Sequence, residues 1–181
     1  MRGLVFLKML LYNRQEVRFL QIRKVLIEEF DKVLSIYSAA RQIMRENGNL
    51  EQWGDGYPYP EIIKSDIETG ALYGVEENGE LCAVFAFLEN PDPDYNELIE
   101  GAWLNENPYR PIHRVASNGK KKGVLSIILD FCKSFGVDLK IDTHRDNKIM
   151  QHLLLKNGFV YCGVALLLPD KIRLAYQYAQ K

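Results

Sequence analysis

The sequence predicts one α/β domain in which about four helices cover a mixed sheet of about seven strands. Three observations carry this. A length of 181 residues suits a single compact unit. Apolar residues make up 47% and charged residues 26%, an ordinary globular balance with enough material for a core. The apolar period also switches along the chain between that of a strand and that of a helix, in the order β-α-α-β-β-β-α-β-α-β-β. An antiparallel meander followed by strand-helix-strand crossovers makes a mixed sheet with helices on its faces.

The elements follow from local signals. Met1 to Leu11 resembles a signal sequence only faintly, since Lys8 interrupts the apolar stretch and no small-residue cleavage site follows. Residues 1–16 are therefore read as an extension or edge segment, and 17–181 as the single domain. Val17 to Val25 alternates as a strand, and Phe30, Val33, Leu34, Tyr37, Ala40 and Met44 repeat at helical spacing until Asn47-Gly48-Asn49. Pro60 opens a shorter helix that stops before Gly70. Leu72 to Glu77 and Leu81 to Leu88 flank Asn78-Gly79, a dipeptide suited to the positive φ angles of a tight hairpin turn. Asn90-Pro91-Asp92-Pro93-Asp94 breaks the sheet and starts an excursion through Trp103 to Pro108, of a length that is usually functional or disordered. A strand at Ile112 to Ser117, a helix carrying Val124, Ile128 and Phe131, and a strand at Val137 to Asp142 come next. Asp146 is placed to cap a helix that ends at Asn157-Gly158. Phe159 to Leu168 and Ile172 to Tyr178, joined through Pro169-Asp170, close the order as an antiparallel pair.

Composition narrows the function classes. No apolar run reaches the roughly 18 residues of a membrane span. Cys82, Cys132 and Cys162 are odd in number and widely spaced, which fits a reducing cytoplasm better than a disulfide framework. His113, His144 and His152 lack metal-ligand spacing, so no metal is expected. The net charge of -1 conceals a division along the chain. Ser65 to Tyr109 holds eleven acidic residues and no Lys or Arg, whereas Arg110 to Lys156 holds ten Lys or Arg against four Asp. If these runs are more than solvated faces, an anionic ligand belongs on the basic portion and a cationic one on the acidic portion. A nucleic-acid partner is disfavoured by the acidic total and by the lack of aromatic residues among Lys120, Lys121 and Lys122.

Ser117-Asn118-Gly119-Lys120-Lys121-Lys122-Gly123-Val124 leads from a strand into a helix N-terminus. First-turn amides there lack partners within the helix, the helix dipole adds positive potential, and the glycines permit close approach of a phosphate. Val124-Leu125 after Gly123 departs from the Lys-Ser/Thr of a nucleotide triphosphatase loop, and the dinucleotide-binding glycine fingerprint is absent.

Lys120-Lys121-Lys122-Gly123-Val124-Leu125 resembles the acyl-CoA loop of the GNAT superfamily of N-acetyltransferases, and Asn147 with Met150, Leu153 and Gly158-Phe159 resembles its second signature, a helix that begins with Asn and ends in Gly-Phe. Together with the element order, the likeness covers Val17 to Tyr178. It implies a mostly antiparallel sheet, splayed in the middle between the strand at Ile112 to Ser117 and the parallel strand at Val137 to Asp142. Pantetheine would lie in that opening and the pyrophosphate on the amides of Lys120 to Ser126. The resemblance thus assigns acetyl-CoA binding to Val115, Ala116, Lys120, Lys121, Lys122, Gly123, Val124, Leu125, Ser126 and Asn147. Two departures stand out: Leu125 replaces the final small residue of the loop, and Leu154 occupies the place where many members carry a thiolate-protonating tyrosine.

The implied function is acetyl transfer from acetyl-CoA directly to an amine of a small molecule or peptide. The alternative, favoured by Leu154, is a catalytically degenerate module that holds CoA for sensing or regulation. An amine must lose a proton before it attacks, and a lysine-like ammonium has a pKa near ~10.4. His113 is the candidate base or water relay, because strand alternation would put it on one face with Val115 near the cleft mouth. Tyr176, or Tyr161, is a candidate acid. Trp53, Tyr57, Glu100 and Trp103 are candidate acceptor-binding residues, with Glu106 beside them; loop anchoring and ordinary surface exposure are the alternatives. Arg114 is read as an ion-pair partner. Exposed strands near the last hairpin offer a surface for pairing as a homodimer.

Overall fold

In the computed structural model, residues 7–13, 16–54, 56–168 and 171–181 are described; expectations for residues 1–6 and for the Pro169-Asp170 turn lie outside them. The strands are β1 (Leu7–Asn13), β2 (Glu16–Lys24), β3 (Leu72–Glu77), β4 (Glu80–Phe87), β5 (Glu100–Gly101), β6 (Tyr109–Ser117), β7 (Asp138–Thr143), β8 (Val160–Leu168) and β9 (Lys171–Tyr178). Among the described residues they form one sheet in the order β1-β2-β3-β4-β6-β7-β9-β8-β5. The β6–β7 pair is parallel and the other neighbours are antiparallel. Among the described residues β1 lies at one edge of this sheet. None of the helices described is long and apolar enough to cross a membrane.

Helices cover both faces because each carries one apolar stripe. α1 (Phe30–Glu46) buries Val33, Ile36, Tyr37 and Ala40, spaced three and four apart, and packs with α2 (Pro60–Glu68) against Leu72, Val84, Ala86 and Ala116. On the other face, α3 (Val124–Lys133) and α4 (Lys148–Lys156) enclose Phe85, Phe87, Ile112, Leu139 and Ile141. The cap of α4 is Asn147 rather than Asp146: its Oδ1 accepts from the Met150 amide at 3.1 Å.

The excursion between β4 and β6 is ordered by three anchors. Tyr95 is buried, the Trp103 indole donates to the Tyr95 carbonyl at 2.8 Å, and the ammonium of the buried Lys140 lies 4.0 and 3.8 Å from the ring centroids of Trp103 and Tyr109. β5 then lies on β8 with Gly101 opposite Gly163, so close that a Cβ on Gly163 would overlap the Glu100 carbonyl oxygen. This two-residue strand has no periodicity and gave no signal in the sequence. Three members of the acidic run are paired within the fold: Glu76 with Arg23, Glu77 with Lys121 and Asp66 with Arg114.

Candidate active site

The site begins where the parallel pair stops. β6 pairs with β7 from Tyr109↔Asp138 to Ile112↔Ile141, and no pairing follows although β6 continues to Ser117. Two strands that share hydrogen bonds for four residues and then diverge leave a wedge in the sheet. The cause is visible on the other side of β6. Its register with β4 steps from Ala86↔His113 to Val84↔Ala116, so Arg114 and Val115 together oppose Phe85 in a β-bulge. Arg114 takes φ 53°, a left-handed conformation that costs a non-glycine residue about 1–3 kcal/mol. A two-pronged ion pair offsets it, with the guanidinium 2.7 and 2.9 Å from the Asp66 carboxylate. Burial would lower the Arg114 pKa, but Asp66 and the Tyr57 hydroxyl hold it above the ordinary value.

The bulge corrects one expectation. Regular alternation would place His113 with Val115, but Val115 packs with the α3–α4 core and Ala116 with the α1–α2 core. His113 instead shares its face with Tyr95 and Asp142. Its Nε2 lies 2.9 Å from Asp92 Oδ2 and its Nδ1 lies 3.7 Å from Asp142 Oδ2. Tyr95 donates its hydroxyl proton to that same Asp142 oxygen at 2.6 Å, and Arg173 Nε stands 3.7 Å from the other. His113 and the Asp94 amide hold the Asp92 carboxyl below the usual range, while burial and the nearby Asp92 raise that of Asp94. The phenol of Tyr95 is pushed upward, first by burial and then by Asp142, so it remains a donor.

His113, Asp92, Asp94, Asp142 and Arg173 line a cavity of about 270 Å³. One wall is Trp53 and Tyr57 from the α1–α2 loop, another is Asp92 and Asp94 from the excursion, and Lys171 and Arg173 enter from β9. Asn147 and Met150 at the start of α4 complete it beside Val115. Gln52 ties these parts together: its side-chain oxygen accepts from Asn147 at 2.9 Å and its carbonyl accepts from Arg173 at 3.3 Å. Beyond the far end of β6, the turn into α3 has Gly119 at φ 77° and Gly123 at φ 74°. A Cβ on Gly123 would meet no atom within 4 Å, so the backbone here faces open space and glycine is needed for its dihedral. Lys120 and Lys122 are exposed, whereas Lys121 reaches Glu77 at 2.5 Å.

No family model and no curated protein matches the chain by sequence. Solved structures do. A GNAT-family acetyltransferase from Streptococcus agalactiae superimposes with a TM-score of 0.82 at 30% identity, covering 99% of this chain and 99% of that one. The chain belongs to the GNAT family of acetyltransferases. A GNAT-family acetyltransferase from Listeria monocytogenes shares the fold at a TM-score of 0.67 and 16% identity, over 89% of this chain and 95% of that one. The PaiA N-acetyltransferase from Thermoplasma acidophilum, solved in complex with coenzyme A, shares it at 0.62 and 13%, over 88% and 98%.

With the GNAT fold established, the expected positions sort as follows. His113, Val115, Asn147, Trp53 and Tyr57 meet at one cavity. Glu100 and Glu106 are exposed elsewhere, Glu100 on the edge strand β5 and Glu106 in the loop beyond it. Trp103 anchors the excursion instead of lining the cavity. Tyr176 is buried in the α3–α4 core with Tyr161 packed edge-on at 5.6 Å, because alternation along β9 turns it away from the face of Arg173. Leu125 is also in that core, so its bulk leaves the loop mouth clear, and Leu154 is fully buried there. His144 is mostly buried, with burial and then Arg173 lowering its pKa. Among the described residues no group of three or more His, Cys, Asp or Glu is placed to hold a metal. Sequence reasoning missed Asp92, Asp94, Asp142, Gln52, Lys171 and Arg173. The signal that points to the first two is the repeated Pro-Asp pattern in the break, which by itself marks only a turn.

Proposed function

We propose that the chain transfers an acetyl group from acetyl-CoA directly to the amine of a small molecule or peptide, in a ternary complex without a covalent enzyme intermediate. The observation that carries the proposal is the placement of His113 between two carboxylates at the mouth of the sheet opening. The strand-to-helix turn before α3 lies beyond the end of the same strand. The open left-handed turn at Gly123, the exposed Lys120 and Lys122 and the first-turn amides of α3 fit a pyrophosphate. The apolar surface of Val115 and Met150 fits a pantetheine arm in the wedge.

In this reading the acceptor ammonium gives one proton to the His113 imidazole, directly or through one water. Asp92 and Asp142 then face the imidazolium with negative charge, and Tyr95 fixes Asp142 in position. The neutral nitrogen attacks the thioester carbon; as the adduct collapses the carbon–sulfur bond breaks and the nitrogen loses its second proton to solvent, CoA departs as a thiolate that takes a proton from solvent, and the imidazolium returns its own proton to solvent. A thiol pKa near ~8.5 makes that departure feasible without a dedicated acid, which accords with Leu154 inside the core.

The test is thermal stabilisation followed by turnover. A ligand that binds the native state alone adds roughly 2.7 kcal/mol at a hundredfold excess over its Kd, so acetyl-CoA should raise Tm where ATP does not. A response to ATP and none to acetyl-CoA overturns the proposal. Stabilisation by acetyl-CoA with no thiol release on any amine would leave the CoA-holding module as the function.

A further inference from the structure

Most of the charges on the cavity wall already have partners. The Arg114 guanidinium is matched by Asp66, Asp92 faces His113, and Asp142 accepts from Tyr95 and lies beside Arg173. Two remain. Among the described residues, neither the Asp94 carboxylate nor the Lys171 ammonium has a hydrogen bond or ion pair, and both line the cavity. One unmatched anion and one unmatched cation on the same small cavity call for a ligand that carries both signs. A plain amine would leave Lys171 uncompensated beside it, and a plain anion would face three carboxylates. Asp94 is exposed and Lys171 half-buried, so water solvates both until a ligand covers them, and covering either without pairing it is costly.

We infer that the acceptor is a free α-amino acid with an apolar side chain, its ammonium toward Asp94 and His113 and its carboxylate toward Lys171. This inference rests on the acetyl-transfer reading and makes it more specific. Trp53 and Leu167 supply apolar surface for the side chain, apart from the Val115 and Met150 surface given to the pantetheine arm. A peptide N-terminus would present an amide where the carboxylate belongs, and so would lose the contact with Lys171. The raised pKa of Asp94 accords with a carboxylate that lacks a cation until the acceptor arrives.

The experiment uses matched trios built on leucine, methionine and phenylalanine: the free acid, its carboxamide and its decarboxylated amine. Binding to the protein saturated with CoA is measured by calorimetry, and acetyl-CoA turnover is measured separately. The expected result is that at least one free acid binds about tenfold or more tightly than its amide and amine, the scale of a hydrogen bond to a charged group. Lys171→Met should erase that preference while stabilisation by acetyl-CoA persists, and Lys171→Arg should retain most of it. Equal binding across every trio, no binding of any member, or a preference that survives in Lys171→Met overturns the inference. Failure of the acetyl-transfer reading has a different signature: no acetyl-CoA stabilisation or no thiol release with any amine, whatever the calorimetry shows.

Discussion

His113 matters because of what its two ring nitrogens face. A carboxylate lies 2.9 Å from one and another lies 3.7 Å from the other, the setting on which the proposed proton transfer from the acceptor relies. Loss of a general base typically costs about 10²–10⁴ in rate, so His113→Ala and His113→Gln should both lower kcat/KM by at least about tenfold and flatten one limb of the pH–rate profile. Wild-type kcat/KM with an unchanged profile in both variants would make His113 structural. Asp92 gives a stability prediction at the same scale. Its folded pKa lies below the ordinary value, so its contribution is present in full above about pH 3.9 and is lost as pH falls through the folded value. In Tm measurements from pH 6 to 2, the difference between the wild type and Asp92→Asn should therefore shrink toward the acid end. A gap that widens with acid would contradict the assignment. Leu154 is packed rather than poised: Leu154→Ala should cost about 2–5 kcal/mol by chemical denaturation, far beyond a surface change.

At the scale of elements, two backbone devices hold the site. The first is the bulge in β6, which puts Arg114 on the same face as His113 just where β6 leaves β7. The second is the contact of β5 with β8, which holds the chain that continues from Asp92 and Asp94. Gly163 has φ 142° and its Cβ would overlap backbone, so Gly163→Ala must separate the two strands. A Tm loss of at least roughly 4 °C is expected, with a raised KM for the acceptor and an unchanged KM for acetyl-CoA. Gly136→Ala is the control. It too has positive φ, but a Cβ there meets nothing, so it should destabilise modestly and leave both KM values alone. A parallel logic applies to the turn before α3, where Gly123→Val should remove stabilisation by acetyl-CoA by projecting a branched side chain into the open space over the amides.

For the whole molecule, the sheet is a frame whose one parallel junction is also its opening. Helices α1 and α2 close one face and α3 and α4 the other, so the wedge is bounded by the ends of elements that come from distant parts of the chain. Three acids of the acidic portion, Asp66, Glu76 and Glu77, are paired internally with Arg114, Arg23 and Lys121, so the charge division along the chain overstates the charge left free. Screening acts over about 8 Å near physiological salt, so the KM of a decarboxylated amine should rise with ionic strength, while that of the corresponding amino acid, with no net charge, should change little. Parallel salt dependence for the two would show that the outer field dominates.

What the sequence determined by itself is what depends on neighbours along the chain. Helical and strand periods, the Asn78-Gly79 turn, the Pro60 start and the glycine-bounded lysine turn all act within a few residues, and they place most of the elements. The two GNAT-like segments were legible for the same reason, since each is a cap or turn with its own local grammar. Tertiary structure decided the rest. Arg114 carries no mark of a positive φ until Asp66, from helix α2, holds it there. Glu100-Gly101 becomes a strand only because β8 lies beside it. Asp92, His113 and Asp142 are scattered along the chain yet converge within hydrogen-bond or ion-pair reach, since strand order and one bulge in β6 fix which side chains meet. Local sequence encodes dihedral preference and burial, whereas a catalytic cluster depends on register between segments that no local pattern records.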